Sequence, residues 1–366
     1  MTRGPSVFAV EDTAVELCWP ALGRGRHIVE VAGRTVEVEG DGRPAAVWVD
    51  GLPPDTALDV VVDGRRTATA HTLATPPGRL LARVATVSDL HVGDGWTFGR
   101  WPTITDPGGP EDPIVRRCAR AALAEIAAWQ PDLVVVKGDV THHGTEDEWT
   151  DAAALLAETG LPTIVTVGNH DVKRGPARGA EALAGHGIPF VSGGIHPYDL
   201  PGVRVIVADT SIPERHHGSF RRMGHALLDA LAQAPGAALV AVHHQLHPFP
   251  VLTHWPPGVL RADPFVRAIA AANPDTLITS GHTHRHRRRQ VGPVTVTEVG
   301  SPKDFPGTWA GYAFHEGGVR QVVRRTTDPT VLAWTEETRR ALFGVWGRWS
   351  PGRLADRCFT HRWRRR

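Results

Sequence analysis

The chain has 366 residues, 41% hydrophobic and 22% charged, which excludes a disordered polymer and leaves material for more than one core. Its 40 basic and 39 acidic residues leave a formal charge of +1, so no bulk field draws it to nucleic acid or to an anionic membrane. Cys18, Cys118 and Cys358 are too few and too scattered for a disulfide framework or a thiolate metal site. The sequence also has no run of about 18 apolar residues and no apolar leader near Met1, so the expectation is a cytoplasmic protein without a membrane span.

Residues 1–77 read as all-β. Alternating segments at 14–19, 27–31, 34–38, 46–49, 58–62 and 67–72 are separated by Gly40-Asp41-Gly42 and Asp63-Gly64 turns, a spacing that predicts a small sandwich. Thr75-Pro76-Pro77-Gly78 then reads as a short stiff linker. Over 79–325 strands alternate with helices, predicting an α/β domain. Helical periodicity marks 114–129, 146–158, 222–233 and 263–272, the last with Asp263 as N-cap and Pro264 at the first helical position. Residues 326–366 predict a helix over 332–346 and an extension that packs back on the α/β domain. Two connections, 93–113 and 245–258, are long and rich in Gly, Pro and aromatic residues (Trp96, Phe98, Trp101, Phe249, Trp255), with His247 and His254 on the second. Loops of that length are uncommon unless functional.

Five short apolar runs, 81–87, 133–136, 163–167, 238–242 and 276–279, have the length and composition of buried parallel strands. Each is followed at once by polar groups suited to metal ions: Asp89-x-His91, Gly138-Asp139, Gly168-Asn169-His170-Asp171, His243-His244 and Gly281-His282-Thr283-His284. Open α/β sheets place their sites at the carboxyl ends of strands. A single histidine is ordinarily a satisfied core residue, but five such groups in order are not explained that way.

The ordered series resembles the calcineurin-like metallophosphoesterase superfamily over about 79–315, and within it the cyclic-nucleotide and glycerophosphodiester branch. That resemblance implies a layered αββα catalytic sandwich, preceded here by the small all-β sandwich. It implies two divalent or transition ions, drawn from Fe, Mn, Zn, Co or Ni. One ion would be held by Asp89, His91 and His284, the other by Asn169, His243 and His282, with Asp139 bridging them. His244 stays open as the alternative to His243. A hydroxide shared by the ions would attack phosphorus, His170 would serve the leaving oxygen, and Asp171 would orient His170.

Trp19 and Gly51-Leu52-Pro53-Pro54-Asp55-Thr56 resemble the fibronectin type III pattern, although Leu58 stands where that family commonly has an aromatic. Purple acid phosphatases pair such a domain with this site, but they carry a tyrosine three residues after the bridging aspartate. Here that residue is His142, which disfavours a ferric enzyme. The function implied is hydrolysis of a small phosphodiester. The alternatives are a phosphomonoesterase or nucleotidase, a DNA nuclease and a non-catalytic scaffold; homodimerisation is left open.

Overall fold

The computed structural model describes residues 4–93, 109, 112–247 and 256–364. The loop residues Trp96, Phe98, Trp101, Phe249, His254 and Trp255 lie outside the described residues. Seven strands open the chain: β1 (Ser6–Val10), β2 (Ala14–Trp19), β3 (Gly25–Val31), β4 (Arg34–Gly40), β5 (Ala45–Asp50), β6 (Ala57–Val62) and β7 (Arg65–His71). They form two sheets, ordered β1-β2-β5 and β4-β3-β6-β7. On β3, Val29 and Val31 are buried and Glu30 is exposed; on β6, Leu58 and Val60 are buried and Asp59 is exposed. These apolar faces meet Val15, Leu17, Trp19 and Val49 in one cluster. Strand β2 is buried along its whole length, because its opposite face carries Glu16 against the main body, where Oε2 accepts the Arg325 amide at 3.2 Å.

The elements that follow are β8 (Leu80–Val87), α1 (Ile114–Trp129), β9 (Leu133–Lys137), α2 (Glu146–Ala157), β10 (Thr163–Thr166), α3 (Ala177–Ala184), β11 (Phe190–Val191), β12 (Ile195–Leu200) and β13 (Val203–Ala208). Next come α4 (Gly224–Ala232), β14 (Ala237–Val242), α5 (Asp263–Ala272), β15 (Thr276–Ser280), β16 (Arg287–Val291), β17 (Val294–Glu298), β18 (Thr308–His315) and β19 (Gly318–Arg325). The chain closes with α6 (Pro329–Thr338), α7 (Trp346–Trp349), α8 (Leu354–Arg357) and β20 (Cys358–Arg362). One sheet runs β11-β10-β9-β8-β18-β19-β20 and the other β12-β13-β14-β15-β17-β16.

The period-2 geometry of strands divides their side chains between two layers. From β9, Leu133 and Val135 enter the core between the sheets, while Val134 and Val136 face the layer that contains α1 and α2. From β14, Leu239 and Ala241 face inward, while Ala238, Val240 and Val242 meet α4 and α5. This is the αββα sandwich expected from the sequence, with the β-rich sheets before it. Pairs β8/β9, β9/β10 and β14/β15 are parallel, so the carboxyl ends of five strands from both sheets open on one edge.

Some elements differ from expectation. The helix foreseen over 332–346 ends at Thr338, because Leu342 and Phe343 take φ of 51° and 56°, outside the right-handed helical region. Asp328 caps it, accepting the amides of Thr330 at 2.9 Å and Val331 at 3.0 Å. The last residues join the seven-stranded sheet as β20, which the helical reading of this segment did not foresee. Asp263 is the first residue of α5 and Ala262 occupies the cap; the Asp263 carboxylate instead pairs with Arg289 at 2.8 Å. Among the described residues no helix is long and apolar enough to cross a membrane.

Candidate metal centre

All seven predicted ligands sit on the turns that leave β8, β9, β10, β14 and β15, and all are buried. Five of them, Asp89, His91, Asp139, His282 and His284, hold positive φ between 49° and 68°. A left-handed residue other than glycine costs on the order of 1 kcal/mol, and such conformations gather where function requires them. Two glycines allow the turns to meet. A Cβ on Gly168 would strike the Asp139 carboxylate, and one on Gly281 would strike the Ser88 hydroxyl and the Asp89 carboxylate.

Three polar atoms converge on Nε2 of His243: Asp139 Oδ2 at 3.3 Å, Asn169 Oδ1 at 3.2 Å and His282 Nδ1 at 3.1 Å. One ring nitrogen offers a single hydrogen or a single lone pair, so it cannot satisfy three such neighbours. A cation can. The other nitrogen of His243 is fixed by the Lys137 carbonyl at 2.9 Å, so the ring presents Nε2 to this cluster. His244 instead has its Nδ1 bonded to Thr210 Oγ1 at 2.9 Å. The geometry therefore places His243 and not His244 against Asp139 and Asn169, although His243, His244 and His282 bring ring nitrogens within 4.8 Å of one another.

Asp89, His91 and His284 form a second group whose donor atoms lie within 4.8 Å of one another. His284 Nε2 is 3.3 Å from Asp89 Oδ1, and its Nδ1 is hydrogen-bonded to the buried carboxylate of Asp304. Asp139 lies between the groups. Its Oδ2 faces His91 Nε2 at 3.8 Å as well as His243, while Oδ1 accepts the His170 amide at 2.8 Å. Oxygen and imidazole donors of this kind suit divalent transition ions. The Nε2 atoms of His244 and His282 are buried without a hydrogen-bond partner among the described residues, which also fits a cation-holding pocket.

The electrostatics follow from burial. Burial alone would raise the Asp139 carboxyl, but His243 and His170 outweigh it and hold the group well below the usual carboxylate range. Burial lowers His243 and His284, yet Asp139 pulls the first up to about 9, and Asp89 with Asp304 does the same for the second. Protons therefore supply the compensating positive charge in this polypeptide.

His170 borders the group formed by His91 and His142, with its ring 4.6 Å from that of His91 in an edge-on arrangement. Asp171 does not orient it. The Asp171 carboxylate is taken up by Gly168 N at 2.8 Å, Val140 N at 3.2 Å, Thr141 N at 2.9 Å and Thr141 Oγ1 at 2.7 Å, so it ties the turn after β9 to the turn after β10. Instead, His170 Nδ1 meets the His142 carbonyl and Lys173 Nζ, each at 2.9 Å. The His142 ring turns toward His91, Nδ1 to Nδ1 at 3.2 Å.

Lys173, Lys303 and Asp304 were not foreseen. A signal existed: the chain's only lysines are Lys137, Lys173 and Lys303, among 40 basic residues, and all three border this site.

A family model described as calcineurin-like phosphoesterase matches residues 82–286. A probable cyclic nucleotide phosphodiesterase of Rhodococcus erythropolis is 32% identical over 31% of this chain and 39% of its own length. Another probable cyclic nucleotide phosphodiesterase, from a Synechococcus strain, is 26% identical over 64% of this chain and 88% of its own. A 3',5'-cyclic adenosine monophosphate phosphodiesterase of Pseudomonas aeruginosa is 29% identical over 47% of this chain and 62% of its own. The family match spans more than half of the sequence and contains every strand-end group described above, and the chain therefore belongs to the calcineurin-like phosphoesterase family.

Proposed function

We propose that this protein is a dinuclear-metal phosphodiesterase that hydrolyses a small phosphodiester of the cyclic-nucleotide or glycerophosphodiester kind. The observation that carries this reading is the position of Asp139, whose one carboxylate oxygen faces both His91 and His243 and so joins the two donor groups. Asp89, His91 and His284 would hold one ion, and Asn169, His243 and His282 the other, with Asp139 shared. Divalent ions bound there supply Lewis acidity toward phosphoryl oxygens and a water of lowered pKa.

The chain's own residues do the rest. Backbone and carboxylate contacts to His243 and His284 hold each ring in one orientation before substrate arrives. His170, half-buried at the rim, presents Nε2 to the leaving oxygen and serves as the proton donor. Supporting the diester reading are the relatives named as cyclic nucleotide phosphodiesterases. The seven N-terminal strands support a fibronectin type III-like module over 1–77, before a catalytic domain at 79–325 and an extension at 326–366. Three buried free thiols suit a reducing compartment such as the cytoplasm.

The deciding experiment compares hydrolysis of bis(p-nitrophenyl) phosphate, p-nitrophenyl phosphate and 3',5'-cyclic AMP by protein loaded with Mn, Fe, Zn, Co or Ni. Higher kcat/KM on the diesters supports the proposal. Preference for the monoester would replace it with a phosphatase, and no turnover by a protein that binds two ions would make it a scaffold.

A further inference from the structure

We infer that Asp304, held in place by Lys303, is the positioning residue for His284, so that the segment after β17 is part of the metal centre although it contributes no ligand. The inference rests on the ligand reading of His284 given above.

The geometry is specific. Asp304 is fully buried, and Oδ2 is hydrogen-bonded to His284 Nδ1 and lies 2.9 Å from Lys303 Nζ. His284 Nε2 points the other way, 3.3 Å from Asp89. A carboxylate accepts hydrogen bonds and cannot donate them when ionised, so its contact with Nδ1 requires the proton to be on that nitrogen. Nε2 is then the nitrogen left to face Asp89 and His91, and once an ion displaces its proton it offers the lone pair that a metal ligand needs. A carboxylate behind an imidazole also raises its basicity as a ligand.

Asp304 cannot drift from this position, because the segment that carries it is fixed at several points. Ser301 Oγ donates to the carbonyl of Asp89 at 2.7 Å, tying the segment to the ligand on β8. The Lys303 amide donates to Ser301 Oγ at 3.2 Å, and Trp334 Nε1 on α6 donates to the Lys303 carbonyl at 2.9 Å. The Phe305 amide donates to Thr338 Oγ1 at 2.8 Å, also on α6. Helix α6 is itself seated, with Val331 and Trp334 packed on Ile114 and Cys118 of α1. Thus α6 acts as a brace, and Asp304 transmits its rigidity to one imidazole. Lys303 completes the arrangement, since a carboxylate buried without a counter-ion carries a large desolvation penalty.

The test uses the full-length protein and the isosteric variant Asp304→Asn, with Asp304→Ala/Lys303→Met as a second variant that leaves no unpaired buried charge. Zinc binding is titrated against a chelating indicator, ion content is measured after chelator challenge, and the His284 ring nitrogens are followed by 15N NMR. The expected result is roughly 10- to 100-fold weaker binding of one ion, the other being held nearly as in the parent, with a mixed His284 tautomer in Asp304→Asn. Unchanged affinity for both ions in both variants overturns the inference, even if the melting temperature falls, because that is a purely structural contribution. A parent protein that binds no zinc fails at an earlier step, and overturns the metal-centre reading itself.

Discussion

Lys173 Nζ stands 2.9 Å from Nδ1 of His170, and both lie within hydrogen-bond distance of the His142 carbonyl. Nδ1 thus faces an acceptor, the carbonyl, and a donor, the lysine, and it can serve only one of them. An ammonium has several hydrogens and can donate to both the carbonyl and Nδ1, whereas a proton on Nδ1 would point a second donor at the ammonium. A charged Lys173 supplies the carbonyl in place of Nδ1 and so favours the tautomer with the histidine proton on Nε2, as a donor to a leaving oxygen requires. Replacing Lys173 by Met frees Nδ1 to bond the carbonyl and takes the proton from Nε2. We expect Lys173→Met to lower kcat about 10-fold and His170→Ala about 100-fold on an alkyl phosphodiester, with metal content intact. Both deficits should shrink on a nitrophenyl ester, whose leaving group needs no proton; equal losses on the two substrates would rule out proton donation.

Asp139 faces His91 and His243 with one oxygen and takes the His170 amide with the other. Its removal therefore disturbs both donor groups and the rim together. Asp139→Ala is expected to lose more bound metal and more activity than Asn169→Ala, His282→Ala or any other single change among the proposed ligands. Elemental analysis after gel filtration gives the ion count. Retention of two ions per chain with ordinary turnover would show that the carboxylate is not shared.

The site was legible in the sequence to the extent that it follows strand ends. A buried parallel strand is a short apolar run, and the residues after it emerge at the carboxyl edge, so Asp89, Asp139, Asn169 and His282 could be placed there by pattern, and His243 only with His244 as its alternative. Residues that reach the site from elsewhere carry no such mark. Asp304 arrives on a loop whose position depends on Trp334 and Thr338 of a helix that begins 25 residues later, and no local periodicity encodes that packing. Asp171 shows the opposite failure. Its place next to His170 suggested an orienting role, but a side chain adjacent in sequence leaves the turn in another direction, and the amides around Gly168 and Thr141 claimed it. The fold class was legible because helix and strand periods alternate. The end of α6 was not, because left-handed Leu342 and Phe343 are neither glycine nor asparagine.

Metal loading should displace protons. In the polypeptide His243 and His284 are both raised from 6.5 to about 9, so at pH 7 both are protonated, and a cation must replace those protons. For groups raised in the folded state, the stability they contribute is present below pH 6.5 and is lost as pH rises through about 9. The metal-free protein should therefore lose this contribution between those values, while metal affinity rises over the same window. Calorimetry of zinc binding at pH 7 in two buffers of different ionisation enthalpy should report about two protons released, falling toward zero above pH 9. Heats independent of the buffer would mean that the rings are already neutral.

Glu16 offers a test remote from the site, at the contact between the N-terminal sheets and β19. Burial raises its carboxyl from 4.5 to about 8, outweighing the Arg325 amide that favours its charged form; Glu125 adds to the rise, and Arg324 and Arg325 oppose it. Between pH 4.5 and about 8 such an acid holds its proton in the folded state but not in the unfolded one. Stability is therefore fully present below pH 4.5 and declines as pH rises through about 8. Glutamine keeps one carbonyl oxygen for the Arg325 amide and has no proton to lose. Glu16→Gln is expected to match the parent near pH 4.5 and to melt several degrees higher at pH 8.5, since a stability difference of a few kcal/mol is on the order of 10 °C or less for a chain of this size. Melting curves of metal-loaded parent and variant across that range, with zinc held constant, provide the check. Parallel curves would mean that Glu16 ionises in the folded protein as readily as in the unfolded one, paired with Arg325 or Arg324 across the sheet contact.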